Sequence, residues 1–136
     1  MKTFKLKSLE IIENKEEDIV QHDIQIIDGL AINREDDENR WIIEVYVDKT
    51  YMDFFRRLQQ QQEDVMIQVK ITKETNPPAT FLTSVIGINE IGENINVLFM
   101  GIMIDEQKSI IKDLLKTLIE EGYQGVSLLE KFKERI

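Results

Sequence analysis

Apolar residues recur at every second position through most of the chain up to residue 104, and that period commits a chain to half-buried β-strands. The clearest case is Trp41, Ile43, Val45 and Val47 on one face against Ile42, Glu44, Tyr46 and Asp48 on the other. Val65 to Thr72 and Phe81 to Ile86 repeat the pattern. Phe4 and Leu6 open a long first strand whose period blurs through Leu9, Ile11 and Ile12, as at a bulge or bend. After the charged, turn-like stretch from Asn14 to Asp18, a second apolar segment runs from Ile19 to Ile27 and meets Asp28-Gly29. That dipeptide predicts a turn, and with it a hairpin over Ile24 to Asn33. The charged run Arg34 to Arg40 reads as an exposed loop, and Asn76-Pro77-Pro78 breaks the sheet. Gly92-Glu93-Asn94 turns the chain into Ile95 to Ile104, whose apolar residues on both faces predict a central, well-covered strand.

The period changes to that of a helix in two places. Tyr51, Phe54, Phe55 and Leu58 form one stripe of a short helix, with Thr50 and Asp53 as a capping-box pair and four glutamines, Gln59 to Gln62, at its end. From Asp105, which can serve as N-cap, Ile110, Ile111, Leu114, Leu115, Leu118 and Ile119 make a wide stripe ending at Gly122. Ser127 and Glu130 form a capping box for a last helix carrying Leu128, Leu129, Phe132 and Ile136. The short link from Gly122 to Val126 predicts an antiparallel helix pair. Strands that do not alternate regularly with helices argue against a parallel doubly wound sheet. The expected class is mainly β (α+β): an antiparallel barrel or sandwich over residues 1–104, with one short inserted helix, and the helix pair over 105–136 on or beside it.

At 136 residues the chain is long enough to bury a core without disulfides, and it contains no cysteine. That removes thiolate metal sites and cysteine nucleophiles, and fits a reducing compartment; the expected location is the cytoplasm. The start lacks the apolar stretch of a signal peptide, and no run is long enough to cross a membrane as a helix. Twenty-six acidic against 17 basic residues give a net charge of −9, which repels phosphate, and Arg56-Arg57 is too small a basic patch to offset it. Nucleic acid is therefore not an expected partner.

No residue pattern specifies catalysis. His22 is the only histidine and has no serine placed beside it as a triad requires, so it reads as a polar strand-end residue. Glu35-Asp36-Asp37-Glu38 is dense enough to attract calcium but lacks the ligand spacing and glycine of a calcium loop. G-I-N-E-I-G from Gly87 matches no dinucleotide fingerprint, and there is no phosphate-binding G-x-x-x-x-G-K. The expectation is no catalytic, cofactor or metal site. The candidate interaction residues are Trp41 and Tyr46 on the strands and Leu114, Leu115, Leu118 and Phe132 on the helix pair, whose stripe is expected to pack on its own barrel rather than on a second chain.

Several segments carry a family resemblance: Met1 to Leu6, Asp28 to Asp36, Asn39 to Glu44, Val47-Asp48, and Ile67 to Thr75 with Asn76-Pro77-Pro78-Ala79. Together they resemble the YwpF-like family of low-GC Gram-positive bacteria, most strongly in the first 80 or so residues. The resemblance implies a small cytoplasmic protein with a β-barrel core similar to the Hcp tube proteins of type VI secretion, followed by a C-terminal helix pair, and brings no catalytic motif. The expected function is a non-enzymatic interaction or assembly module that contacts a protein partner or itself. The alternative is a small-ligand receptor with its site in the barrel mouth near Trp41 and Tyr46. No particular small molecule is implied, and the R-x-x-x-R pair of a cyclic-dinucleotide barrel is absent.

Overall fold

The computed structural model describes residues 1–15, 18–61, 64–104 and 108–135, without the side chains of 14–15 and 108–113. The expected cap at Asp105, part of the Asn14 to Asp18 stretch, Gln62, Ile136 and the side chains of Ile110 and Ile111 lie outside this description.

Seven strands are present among the described residues: β1 (Lys2–Lys15), β2 (Asp18–Ile24), β3 (Ile26–Asn33), β4 (Arg40–Asp48), β5 (Val65–Ile71), β6 (Ala79–Ile91) and β7 (Asn94–Ile104). All pairings are antiparallel, in the order β2-β1-β3-β4-β7-β6-β5, and a further β1–β5 pairing closes the sheet into a barrel. One edge of β1 takes β3 along Lys2 to Lys5 and β2 along Leu9 to Lys15, while its other edge takes β5. Register shifts skip Lys7, Ile27 and Ile86, and such bulges supply the bends that closure needs.

The inward face alternates as the sequence predicts. Leu6, Leu9, Ile11, Ile43, Val45, Val47, Ile67, Val69, Phe81, Val97 and Phe99 fill the lumen, nearly all with no exposed surface. The inserted helix α1 (Met52–Gln60) follows a 3-10 turn over Lys49–Tyr51 and sends Met52, Phe55 and Leu58 into the same core. Phe55 meets Phe99 edge-on at 5.9 Å. The Tyr51 hydroxyl accepts the Gln25 amide at the bend between β2 and β3, and Arg56 reaches Glu90 on β6, so α1 is tied across one barrel end.

A second core lies outside the barrel. Met66 on β5, Leu82 on β6 and Ile104 on β7 point outward and meet Leu115 and Leu118 of α2 (Lys108–Glu120) with Leu128 and Phe132 of α3 (Gly125–Arg135). Both faces of β5 are buried from Val65 to Val69 as a result. The turn between α2 and α3 is a Schellman motif: Tyr123 N–H donates to Leu118 C=O, Gly122 N–H to Ile119 C=O, and Gly122 has φ of +98°.

Several local expectations are corrected. Asp28-Gly29 is not a turn: β3 runs through it, and the chain instead bends at Gln25. Glycine suits position 29 because a Cβ there would crowd its neighbours, lying 2.9 Å from Leu6 Cδ2 and 3.1 Å from the Glu44 carbonyl oxygen. Thr50 and Asp53 form no capping box; Asp48 accepts the Thr50 amide at 2.9 Å, and Tyr51 caps α1 without a side-chain bond. α3 starts at Gly125, ahead of the expected box, so Ser127 lies inside its first turn and donates to the Gln124 carbonyl at 2.8 Å. β7 is central, but Ile102 and Met103 near its end are exposed.

Because Leu118 is fully buried in the second core, Leu118→Ala should cost about 2–5 kcal/mol through lost transfer energy and the cavity left behind. Thermal unfolding of the variant beside the parent checks this, and light scattering should give the two the same mass. An unchanged melting curve contradicts the packing described here.

Candidate functional site

The two strand candidates are not brought together. Trp41 points inward at the barrel end away from α1, stacked on Phe4 at 6.0 Å and edge-on to Phe81 at 5.4 Å. Tyr46 points outward near the other end of β4, where the negative charge of Glu44 raises its pKa above the usual phenol value. A depression of about 280 Å³ does exist beside Trp41, between Phe4, Ile71, Asn76 and Pro77. Behind it the lumen is filled, as the bulky strand residues predict. Of the helix candidates, Leu115, Leu118 and Phe132 are buried against the barrel, and Leu114 is partly buried beside them. These four side chains pack in cis, because the period that aligns them on α2 and α3 also matches the apolar outer positions of β5 and β6.

A cleft of about 350 Å³ opens where α1 meets the helix pair. Its walls are Ile12, Ile19, Leu58, Leu115 and Leu128, and its polar side holds Glu13, Arg57 and Asp64. Arg57 grips Glu13 with two hydrogen bonds, of 2.7 and 3.2 Å, which hold the guanidinium pKa above its ordinary value. His22 Nε2 lies 3.3 Å from the same carboxylate, and the His22 ring and the Arg57 guanidinium both pack on Phe54. His22 therefore sits within β2, clamping it to α1, rather than at a strand end. Both Glu13 oxygens are engaged and Asp64 is paired with Lys133, so neither carboxylate stands ready as a general base.

The acidic loop is organised from within. Asp36 accepts the amides of Glu38 (3.1 Å) and Arg40 (3.0 Å) on one oxygen and Arg40 Nε (3.0 Å) on the other. The Arg40 amide above all holds the Asp36 carboxyl below the usual carboxylate range. Among the described residues no group of acidic or histidine side chains is arranged to hold a metal ion.

Sequence reasoning missed the outer face of β3, β4 and β7. Leu30, Ile32, Ile42, Leu98 and Met100 are half-buried there, beside the exposed Ile86 and Ile102, and belong to neither core. Register places them in three rows. Ile32, Ile42, Met100 and Ser84 form the middle row; Arg40, Ile102 and Leu82 lie to one side; Leu30, Glu44 and Leu98 lie to the other. The signal was present, since Ile32, Ile42, Met100 and Ile102 all fall on the polar phase of their strands. No described helix is long and apolar enough to cross a membrane.

Titrating the protein with calcium in a calorimeter should show no micromolar site, because a calcium ion gathers about 6–8 oxygens and the Asp36 oxygens are already taken by N–H donors. Micromolar binding lost in Asp36→Asn contradicts this.

Comparison with known proteins agrees with this architecture. A solved structure described as a hypothetical protein from Staphylococcus aureus superposes with a TM-score of 0.70 at 27% identity, covering 98% of this chain and 91% of that one. A protein of Bacillus subtilis strain 168, described as uncharacterized protein YwpF, is 40% identical over an alignment of 138 positions that covers 100% of this chain and 100% of that one. The family model for YwpF-like proteins matches residues 2–135, and the chain belongs to the YwpF-like family.

Proposed function

We propose that the chain is a non-enzymatic, cytoplasmic protein-docking module whose contact surface is the uncovered outer face of β3, β4 and β7. One observation carries this reading. An antiparallel sheet with one face on a core normally turns polar side chains to water, whereas here Ile32, Ile42, Leu98, Met100 and Ile102 occupy those positions. A contiguous apolar patch with charges set about it is the usual mark of a partner site; here Arg40 lies at one side, Glu44 stands between Leu30 and Leu98, and Arg34 reaches Met100 Sδ at 3.4 Å. The paired state of Glu13, Asp36 and Asp64 supports a binding role over catalysis. A photo-crosslinking amino acid in place of Ser84, exposed in the middle row, should capture a protein in living cells, while the same group at Gln21 on β2 should not. Absence of any adduct at Ser84 removes the docking face.

A second reading, small-ligand binding, is favoured by the cleft beside the helix pair rather than by the barrel mouth. Its volume of about 350 Å³ falls in the range of small-ligand sites, roughly 300–1,000 Å³. Its apolar walls, Ile12, Ile19, Leu58, Leu115 and Leu128, suit an apolar molecule. Native mass spectrometry of protein isolated from cells should then show added mass, and the bare chain mass alone rules this reading out.

A further inference from the structure

The second core is open on one side. Ile12 on β1, Ile19 on β2 and Leu129 on α3 pack against its edge and stay partly exposed, while Leu58 of α1, a member of the barrel core, faces the same space. The gap between them is the cleft of about 350 Å³ where α1 meets the helix pair. Among the described residues no aromatic ring lines it; its apolar walls are Ile, Leu, Val and Met side chains. Such walls give a flat ring no face to stack on, and they adapt readily to a flexible chain.

The polar side of the cleft is charged but balanced. Arg57 gives both terminal amino groups to Glu13, and Lys133 pairs with Asp64. An anionic ligand end that drew Arg57 away would leave the Glu13 carboxylate, only 12% exposed, without its cation. A cationic end would meet Arg57 and Lys133 already in place. An uncharged end meets neither conflict. The Gln61 side chain, exposed at the end of α1 and without a hydrogen bond among the described residues, can both donate to and accept from a hydroxyl or an amide.

We propose that the cleft binds a flexible aliphatic chain of roughly ten carbons with an uncharged hydrogen-bonding end, since a methylene takes the room of a water molecule, ~30 Å³. This rests on the small-ligand reading above and names its chemical class. The chain lies between Leu58 and Leu129 with its head at Gln61. Because Leu58 belongs to the barrel core and Leu129 to the outer one, the ligand ties the helix pair to the barrel, and its binding raises the melting temperature.

The test titrates the full-length chain in a calorimeter with n-alkanols from hexanol to dodecanol. Each added methylene should tighten binding about fourfold until the cleft is full at about ten carbons, and the gain should stop there. Decanoate and decylammonium should bind about tenfold or more weakly than decanol, because either charge disturbs a pair on the polar side. Leu129→Trp, which fills the cleft from a partly exposed position, should abolish decanol binding. Ile19→Glu, which puts a charge in the opposite wall, is the independent arm should the tryptophan variant fail to fold; melting curves report folding of both. No binding of any alkanol up to its solubility limit, a gain per methylene that never levels off, decanol binding indifferent to both variants, or a charged chain bound as tightly as decanol each overturn the proposal. If any of these occurs while native mass spectrometry still shows added mass on protein from cells, the ligand class is wrong and the small-ligand reading stands. If the chain mass is bare as well, both are wrong.

Discussion

Pairing of β1 with β5 is the constraint on which the rest of the structure depends. Without it the sheet is an open ribbon with β5 and β2 at its edges, and β5, apolar on both faces, would be a template for association. Closure gives β5 a partner on each edge and turns Val65, Ile67 and Val69 into the lumen. Its opposite face, led by Met66, must then be covered from outside, which is what the helix pair does. The edge strand β2 that remains carries exposed polar residues, Asp18, Gln21 and Asp23, and charge there discourages further strand addition.

Two cores back to back through one sheet leave the outer surface unequal. Over β1, β5 and β6 the apolar outward residues are matched by Leu115, Leu118, Leu128 and Phe132. Over β3, β4 and β7 the outward residues Leu30, Ile32, Ile42, Leu98, Met100 and Ile102 are also apolar, but neither core includes them, and of the outward residues of β7 only Ile104 reaches the helix pair. The ion pairs respect the same division. Arg57 with Glu13 and Lys133 with Asp64 lie around the cleft and the helix pair, where they fix α1 and α3 to the barrel. Such clamps with a half-exposed partner set orientation more than they set stability.

The sequence made the strand phases legible because period two and inward burial are the same physical fact. Ile43, Val45 and Val47 needed no structure to be placed in the core. The same phase separates Trp41 from Tyr46, five residues apart and on opposite faces, which already counts against one pocket containing both. Other features were not legible because one residue type answers to different demands. Asp28-Gly29 signals a turn through the freedom of glycine, yet Gly29 serves the close approach of Leu6 and Glu44, both remote in sequence. The caps misread at Thr50 and Ser127 depend on where a helix begins to within a residue or two, and local pattern does not fix that. The cleft is assembled from β1, β2, α1, α2 and α3, so no sequence window contains it.

The apolar outward face is the feature that fold alone does not require. A closed barrel whose lumen is full needs little from Ile42 or Ile102 on the outside beyond strand propensity and contact with the neighbouring strands, a contribution of about 1 kcal/mol or less. Yet the chain keeps a net charge of −9, which resists non-specific aggregation through mutual repulsion. Apolar contact opposed by overall repulsion favours surfaces that bring their own complementary charges into register. Arg40 and Glu44 stand on either side of Ile42 within one strand. On the docking reading proposed above, a partner at this face has to match both the apolar row and the charges set beside it.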